Sequence, residues 1–439
     1  MTPLEFLREE FRNVDRALEE TLRYDYGPEQ SKDFYIECAG RLSRIKLEVD
    51  NDGLDRQTIA ALRGDLNYIA ALISLIERSH LGEFSWPFAD DLRELAKPLL
   101  REQNLLGGQS EPIIHVVADA PGYRIRYEDA VRSASSRRRF TIVLFPRPLK
   151  DHVLLHAIFG HEIGHAALEA TNAGALLRSQ AYPALTLNVL ADEISVDSWL
   201  NAFDSPDDLK TELAAYHQRM GRPFRLTSDF RDSWIHELIC DLCGLLLFGP
   251  AFLAAHRTII EPSHPNPLKF ELTEPTHPPY AVRHKMLCQA MRLLHWHKTV
   301  TLHVEGDVHS AELEFVSSLT RDPFPNWAKV FSEQEIDSAI HGLKSVLSEL
   351  VYAPPSSGTL AKLVRRLNRR LPPIVDGIDS IDKPILVSTD FRQILHAGWL
   401  FWDGRKQLEP QSELDFLKTN RLCNQALLQQ RAINEFLNA

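Results

Sequence analysis

Cysteine is scarce in this chain of 439 residues: there are five, Cys38, Cys240, Cys243, Cys288 and Cys423. Their odd number and wide spacing argue against a disulfide framework and favour a reducing compartment, so a cytoplasmic location is expected. Cys240 and Cys243 form a lone CxxC inside an apolar helical run. Without the second pair that a structural zinc site needs, core packing is their expected role. No secretory leader is expected either, since Met1 to Glu10 has neither a basic start nor an apolar stretch. No apolar run is long enough for a membrane span. The nearest, Leu238 to Ala255, contains Asp241, Gly249 and Pro250 and reads as a buried helix. Positive charge is in short supply: 49 Lys and Arg stand against 60 Asp and Glu, a net charge of −11. That balance argues against a nucleic acid or an anionic membrane as the main partner. The basic run Val364 to Arg370 lacks aromatic interleaving and is expected to be a solvated helix face, while Arg137 to Arg139 fits a charged turn. Internal repeats and low-complexity tracts are absent as well.

The length exceeds what a single core comfortably fills, so more than one structural region is expected. From Thr2 to about Leu105 apolar residues recur with helical spacing, at Leu4, Leu7, Phe11 and Val14 and again at Ile59, Leu62, Leu66, Ile69 and Leu72. The period then shortens. Pro112 to Val117, Tyr123 to Tyr127 and Phe140 to Phe145 read as three strands, the second alternating apolar and basic residues like an edge strand. Helix is expected again from near Lys150, over Ala181 to Phe203, Asp207 to Gly221, Ser228 to Ala255, Tyr280 to Trp296, and over most of Trp327 to Ala439. The fold class is therefore α+β, mainly α. Three regions are expected: a helical one over 1–110, a core over 111–300 that joins the sheet to the helices after it, and a second helical one over 301–439.

The chemistry lies in His161-Glu162-Ile163-Gly164-His165. On a helix, residues four apart share a face, so both imidazoles can reach one metal ion with Glu162 beside the open position. A catalytic zinc site takes three protein ligands and leaves one position for water, so a third ligand must come from elsewhere. Two acidic pairs with the same ExxxD spacing compete, Glu193 with Asp197 and Glu237 with Asp241. Glu193 is nearer in sequence. Glu237 lies in a strongly apolar helix, where a carboxylate without a partner is costly, and Asp241 stands one turn on, ready to accept a ligand histidine's Nδ1–H. His152, His156 and His236 have no companions at metal spacing on that motif face, and packed or capping roles are expected of them.

These motifs, followed by Thr276-His277-Pro278-Pro279-Tyr280-Ala281-Val282-Arg283, resemble the gluzincin metallopeptidases. The similarity is to the branch of the CaaX prenyl endopeptidase and the heat-shock protease HtpX. In that branch a Thr-His-Pro segment follows the ExxxD helix, and an arginine stands seven residues after the threonine, as Arg283 does after Thr276. The resemblance covers roughly Pro112 to Trp296 and departs in one respect, because that branch is commonly membrane-embedded. It implies a zincin-like core with a small sheet and an HExxH helix, with Zn2+ held by His161, His165 and Glu237. Glu162 would then be the general base and Asp241 the acid behind the ligands, and Glu237 is preferred to Glu193.

The implied activity is peptide-bond hydrolysis of a protein or peptide substrate. Glu162 takes a proton from a metal-activated water and returns it to the leaving amine. His277, Tyr280, Arg283 and His284 are candidates to stabilise the oxyanion, with His277 and Arg283 the preferred pair. For Arg283 an ion pair with Asp241 or Glu237 is an equal alternative. The edge strand Tyr123 to Tyr127 is a candidate for adding an extended substrate. Two rival readings stay open: a catalytically silent zincin-fold interaction protein, and a zinc hydrolase of a non-peptide bond.

Overall fold

The computed structural model describes residues 2–21, 23, 30–80, 85–103, 109–110, 112–120, 122–128, 140–170, 172–185, 206–221, 226–263, 266–268, 277–296, 301–305, 310–314, 322–324, 328–375, 389–408 and 416–438. They divide into two compact units, Met1–Asp151 and His152–Ala439.

The first unit opens with α1 (Pro3–Thr21), α2 (Gln30–Val49), α3 (Arg56–His80) and α4 (Trp86–Ala96). Apolar residues three or four apart make a stripe on each of the first three: Leu7 and Phe11 on α1, Leu42, Ile45 and Val49 on α2, Ile59 to Ile73 on α3. The stripes meet in one core. Two short strands pair antiparallel, β1 (Glu102–Gln103) and β2 (Gln109–Ser110). The main sheet has β3 (Ile113–Ala120), β4 (Arg124–Glu128) and β5 (Phe140–Pro146) in the order β3-β5-β4. β3 runs parallel to β5, with His115 opposite Ile142, and β4 runs antiparallel to it, with Arg126 opposite Ile142. All three strands fall where the period-2 segments predict them, and β4 is an edge strand.

One expectation about organisation is corrected. The sheet belongs to the N-terminal unit: Ile113, Val117, Ile142 and Leu144 lie in the same core as Leu7, Leu42 and Leu66. The boundary therefore falls at Asp151, after the sheet, and not near residue 110. Strand alternation identifies an apolar face, and the helical stripes of α1 to α3 are what cover it.

The second unit begins with turns of 3-10 helix at Leu155–Ile158, then α5 (Phe159–Ala170), α6 (Asn172–Gln180) and a further 3-10 turn at Tyr182–Ala184. α7 (Pro206–Met220), α8 (Leu226–Phe248), α9 (Pro250–Ile260) and α10 (Tyr280–Leu293) follow. Next come a hairpin of β6 (Thr301–Glu305) and β7 (Ser310–Glu314), and α11 (Glu333–Leu347), α12 (Ser357–Asn368), α13 (Phe391–Leu408) and α14 (Phe416–Asn438). The hairpin is a β element within the region 301–439 expected to be mostly helical. The motif helix also starts later than expected, at Phe159. The long helix expected to reach Ala255 breaks at Gly249, whose φ of 63° suits glycine and whose missing Cβ makes room for the Tyr352 ring. Pro250 then opens α9 at the position where a lost N–H costs nothing.

Packing around α8 sets the geometry of the site. From Leu238 to Phe248 the helix is buried on every side, and each fully buried Leu stabilises by roughly 1.5–3 kcal/mol. α5 crosses it antiparallel, Gly160 facing Gly244 and Gly164 facing Cys240. A Cβ on Gly160 would stand 2.7 Å from the Gly244 Cα, and one on Gly164 would stand 3.0 Å from the Cys240 Cα. Backbones that close bring short side chains on both helices within reach of one point. The C-terminal helices brace this arrangement. Asn420 accepts the Leu154 N–H at 2.9 Å, Trp399 Nε1 donates to the Leu154 carbonyl at 2.9 Å, and Arg392 donates to the Leu247 carbonyl at 3.0 Å near the end of α8.

All five cysteines are buried and unpaired, and Cys240 and Cys243 sit within the α8 core. Among the described residues no helix is long and apolar enough to cross a membrane.

Candidate metal centre

α5 projects His161 and His165 from the face that meets α8, and α8 returns Glu237 between them. The Nε2 atoms of the two imidazoles are 2.9 Å apart. Glu237 Oε2 lies 3.4 Å from His161 Nε2, and Glu237 Oε1 lies 3.3 Å from His165 Nε2. Ligand atoms about 2.0–2.1 Å from a tetrahedral zinc ion are separated by about 3.3 Å, so this triangle has the size such an ion requires. His161 and Glu237 are buried, and His165 is half-buried.

The other nitrogen of each imidazole decides which species these atoms can hold. His161 Nδ1 is 2.9 Å from Asp241 Oδ1, a carboxylate that can only accept, so Nδ1 carries a proton and Nε2 is the nitrogen left to face a metal. His165 Nδ1 is 2.9 Å from His236 Nε2, and His236 Nδ1 is 2.6 Å from the Tyr182 hydroxyl. Glu237 Oε2 is buried with no hydrogen-bond partner among the described residues. Nε2 of two imidazoles and a carboxylate thus converge on one point, a donor set that favours a cation there. The residues fit zinc, with an imidazole–imidazole–carboxylate donor set that leaves a fourth position open.

Electrostatics behind the triangle are ordered in layers. Asp241, fully buried, takes a bidentate pair from Arg283, Nε to Oδ2 and Nη2 to Oδ1, both at 2.7 Å. Burial would raise the Asp241 pKa, but the Arg283 charge, aided by hydrogen bonds from Arg283 and His161, holds it well below the carboxylate range. Glu237 behaves the same way: burial pushes upward, and the neighbouring His161 and His165 imidazoles hold the carboxyl well below its usual value. In the metal-free site burial pulls the His161 pKa downward, yet Asp241 and then Glu237 beside it raise it to about 9. The carboxylates that favour a proton there favour a divalent cation equally. His256, which is buried, brings Nε2 to 3.5 Å from Asp241 Oδ1 and stacks on Tyr280.

Glu162 is half-buried beside His161, and among the described residues no hydrogen bond or ion pair engages its carboxylate. His277 is the one oxyanion candidate exposed next to the triangle: its side chain is 57% accessible and Nε2 lies 3.5 Å from Glu237 Oε1. Burial lowers its pKa, and Glu237 opposes the shift. The expectation of a catalytic Arg283 is corrected in favour of its alternative. With a side chain 4% accessible and its guanidinium committed to Asp241, Arg283 stands behind the ligands. Tyr280 and His284 lie together in the core, Oη 3.3 Å from Nδ1, with His284 Nε2 3.4 Å from Cys288 Sγ. The competing pair Glu193 and Asp197, and Thr276 of the Thr-His-Pro segment, lie outside the described residues.

Two contributors escaped the sequence reading. His236 was expected to pack or cap; it contacts His165 and Tyr182, and burial followed by the neighbouring His165 lowers its pKa to about 4. Tyr182, on the 3-10 turn after α6, carried no sequence signal. The available signal for His236 was its position, one residue before Glu237. His152 and His156 do keep packing roles, against Phe416 and Phe159.

No protein-family model, curated protein or solved structure matches the chain.

Proposed function

We propose that the chain is a zinc-dependent metallopeptidase that hydrolyses peptide bonds in a protein or peptide substrate, with Glu162 as its general base. One observation carries the reading. His161, His165 and Glu237 bring three ligand atoms to one point, His161 is oriented by Asp241, and the Glu162 carboxylate, with no partner among the described residues, stands beside them. An interaction scaffold needs neither that unengaged carboxylate nor an exposed histidine at the rim.

Zinc bound by the triad supplies Lewis acidity that lowers the pKa of a coordinated water and polarises the scissile carbonyl. The rest falls to protein side chains. Glu162 takes the water's proton as the carbonyl carbon is attacked, and delivers that proton to the amine nitrogen as the C–N bond breaks. His277, exposed 3.5 Å from the Glu237 carboxylate, donates to the oxygen on which negative charge develops. Asp241 fixes the ring of His161, and Arg283 keeps Asp241 ionised and oriented. Five buried, unpaired thiols support a reducing, cytoplasmic setting for this chemistry.

The test compares protein fragments in cells expressing wild-type chain or Glu162→Gln, alongside metal analysis of both purified proteins. One zinc per chain in each, with fragments lost only in the variant, is the expected result. Hydrolysis retained by a zinc-loaded Glu162→Gln protein overturns the mechanism.

A further inference from the structure

A zinc-binding imidazole must present one nitrogen to the metal and protonate the other, and that second nitrogen needs an acceptor. For His161 the acceptor is Asp241. Among the described residues no carboxylate faces the outer nitrogen of His165: His165 Nδ1 points at His236 Nε2, 2.9 Å away, and His236 Nδ1 points at the Tyr182 hydroxyl, 2.6 Å away. We infer that His236 and Tyr182 form a relay that orients the second zinc ligand, doing with a neutral imidazole and a phenol what Asp241 and Arg283 do for the first. The inference depends on His161, His165 and Glu237 holding zinc.

Proton positions give the relay its direction. With zinc on His165 Nε2, the His165 Nδ1–H donates to His236 Nε2, and the His236 Nδ1–H donates to the Tyr182 oxygen. Without zinc the same three groups can run the other way. Tyr182 donates to His236 Nδ1, His236 Nε2–H to His165 Nδ1, and His165 Nε2–H to the Glu237 carboxylate 3.3 Å away. His165 and His236 carry one proton each in both states, and the phenol keeps its own. Loading therefore changes which ring nitrogen bears hydrogen and adds or removes no net proton on these groups. A carboxylate in place of His236 would pull His165 permanently into the metal-binding tautomer; a neutral relay leaves both tautomers satisfied.

His165, His236 and Cys240 also bring one ligand atom each within 4.8 Å of one another, so a second metal ion is the rival account of this cluster. Two features favour the relay. Both nitrogens of His236 already have partners at hydrogen-bond distance. A second ion would also take both nitrogens of His165, which requires a doubly deprotonated ring.

The experiment measures zinc stoichiometry and affinity, by metal analysis and chelator competition, on full-length wild type, His236→Leu, His236→Asn and Tyr182→Phe. Proton-detected nitrogen spectra of the zinc-loaded, histidine-labelled proteins accompany it. His236→Leu should weaken zinc about 10- to 100-fold, the usual cost of losing a group that orients a ligand. His236→Asn, whose side-chain oxygen still accepts, should recover most of that loss. Tyr182→Phe removes a single hydroxyl, tests the relay even if the His236 variants misfold, and should weaken zinc several-fold. The spectra should show the His165 proton on Nδ1 in wild type. Wild-type zinc affinity in a folded His236→Leu or in Tyr182→Phe overturns the relay. So do two zinc ions per wild-type chain with one lost in Cys240→Ala. A wild-type chain that takes up no zinc overturns instead the metallopeptidase reading beneath it.

Discussion

Gly160→Ala puts one methyl group where α5 and α8 approach most closely. Its carbon would lie 2.7 Å from the Gly244 Cα, 2.9 Å from Phe248 Cδ2 and 3.1 Å from the Gly244 carbonyl oxygen. Unbonded carbons settle about 3.5–4.0 Å apart. The nearest obstacle is backbone and cannot rotate aside, so the helices must part locally by on the order of 1 Å. Overpacking of this kind costs about 1–3 kcal/mol, and the better helix propensity of alanine returns up to about 1 kcal/mol. Net destabilisation is therefore modest, on the order of 1–2 kcal/mol.

The larger consequence is at the metal. Metal–ligand distances tolerate about 0.2 Å, whereas His161, the next residue on α5, moves away from Glu237 on α8 by several times that. Zinc affinity should fall at least tenfold, which is about 1.4 kcal/mol. Chelator competition on the purified protein reads this directly, with thermal unfolding of the metal-free form as the measure of packing. Gly40→Ala is the control. Gly40 is an exposed position on α2 with nothing within 4 Å of its missing Cβ, so alanine there should leave zinc binding unchanged and stabilise by about 0.4–1 kcal/mol. A folded Gly160→Ala protein with wild-type zinc affinity would refute the claim that the glycine crossing sets the ligand geometry.

Glu162→Gln should keep zinc binding within a few-fold of wild type and reduce peptide hydrolysis by about 10²–10⁴-fold, the usual share of a general base; parallel metal analysis and turnover assays check both halves. Arg283→Met leaves the Asp241 carboxylate buried without its bidentate partner. Denaturant unfolding should show a loss of about 3–5 kcal/mol, and a stability within 1 kcal/mol of wild type on that scale sinks the ion-pair assignment. His396, buried with Nδ1 2.8 Å from the Tyr352 hydroxyl, has its pKa lowered by burial from 6.5 to about 3. Its folded pKa lies below its unfolded one, so its contribution to stability is complete above pH 6.5 and is lost as pH falls from there towards 3. One proton on the unfolded side costs about 1.4 kcal/mol per pH unit. His396→Gln should therefore flatten the acid limb of the stability curve between pH 6 and 4, and an unchanged slope there contradicts the burial argument.

What the sequence disclosed follows from which interactions are local. The strands announce themselves because alternation over Tyr123 to Tyr127 and dense β-branched runs over 112–117 and 140–145 are written residue by residue. His161 and His165 are legible for the same reason, four apart on one helix, and Asp241 is legible because a carboxylate in so apolar a helix demands a partner. The sheet's allegiance was not local. Apolar strand faces do not say which helical stripe will cover them, and α1 to α3 supply that cover from residues far earlier in the chain. Glu237 stood between the two cases, favoured over Glu193 by its surroundings and preferred through a family resemblance.

His236 went unread for a geometric reason. Consecutive helical positions differ by about 100° in direction, so the residue before Glu237 does not share Glu237's face, and no spacing rule connects it to the motif. Its partners come from two other elements, His165 on α5 and Tyr182 on the 3-10 turn, and only the antiparallel crossing of α5 on α8 brings the three together. Yet one constraint was available beforehand. Each metal-facing imidazole has a second nitrogen that must be satisfied, and two imidazoles need two such partners. Asp241 serves one. Antiparallel contact between the two helices pairs the later histidine with the earlier residues of α8, which directs the search for the second partner to the positions just before Glu237, where His236 can both accept from His165 and pass a hydrogen bond onward.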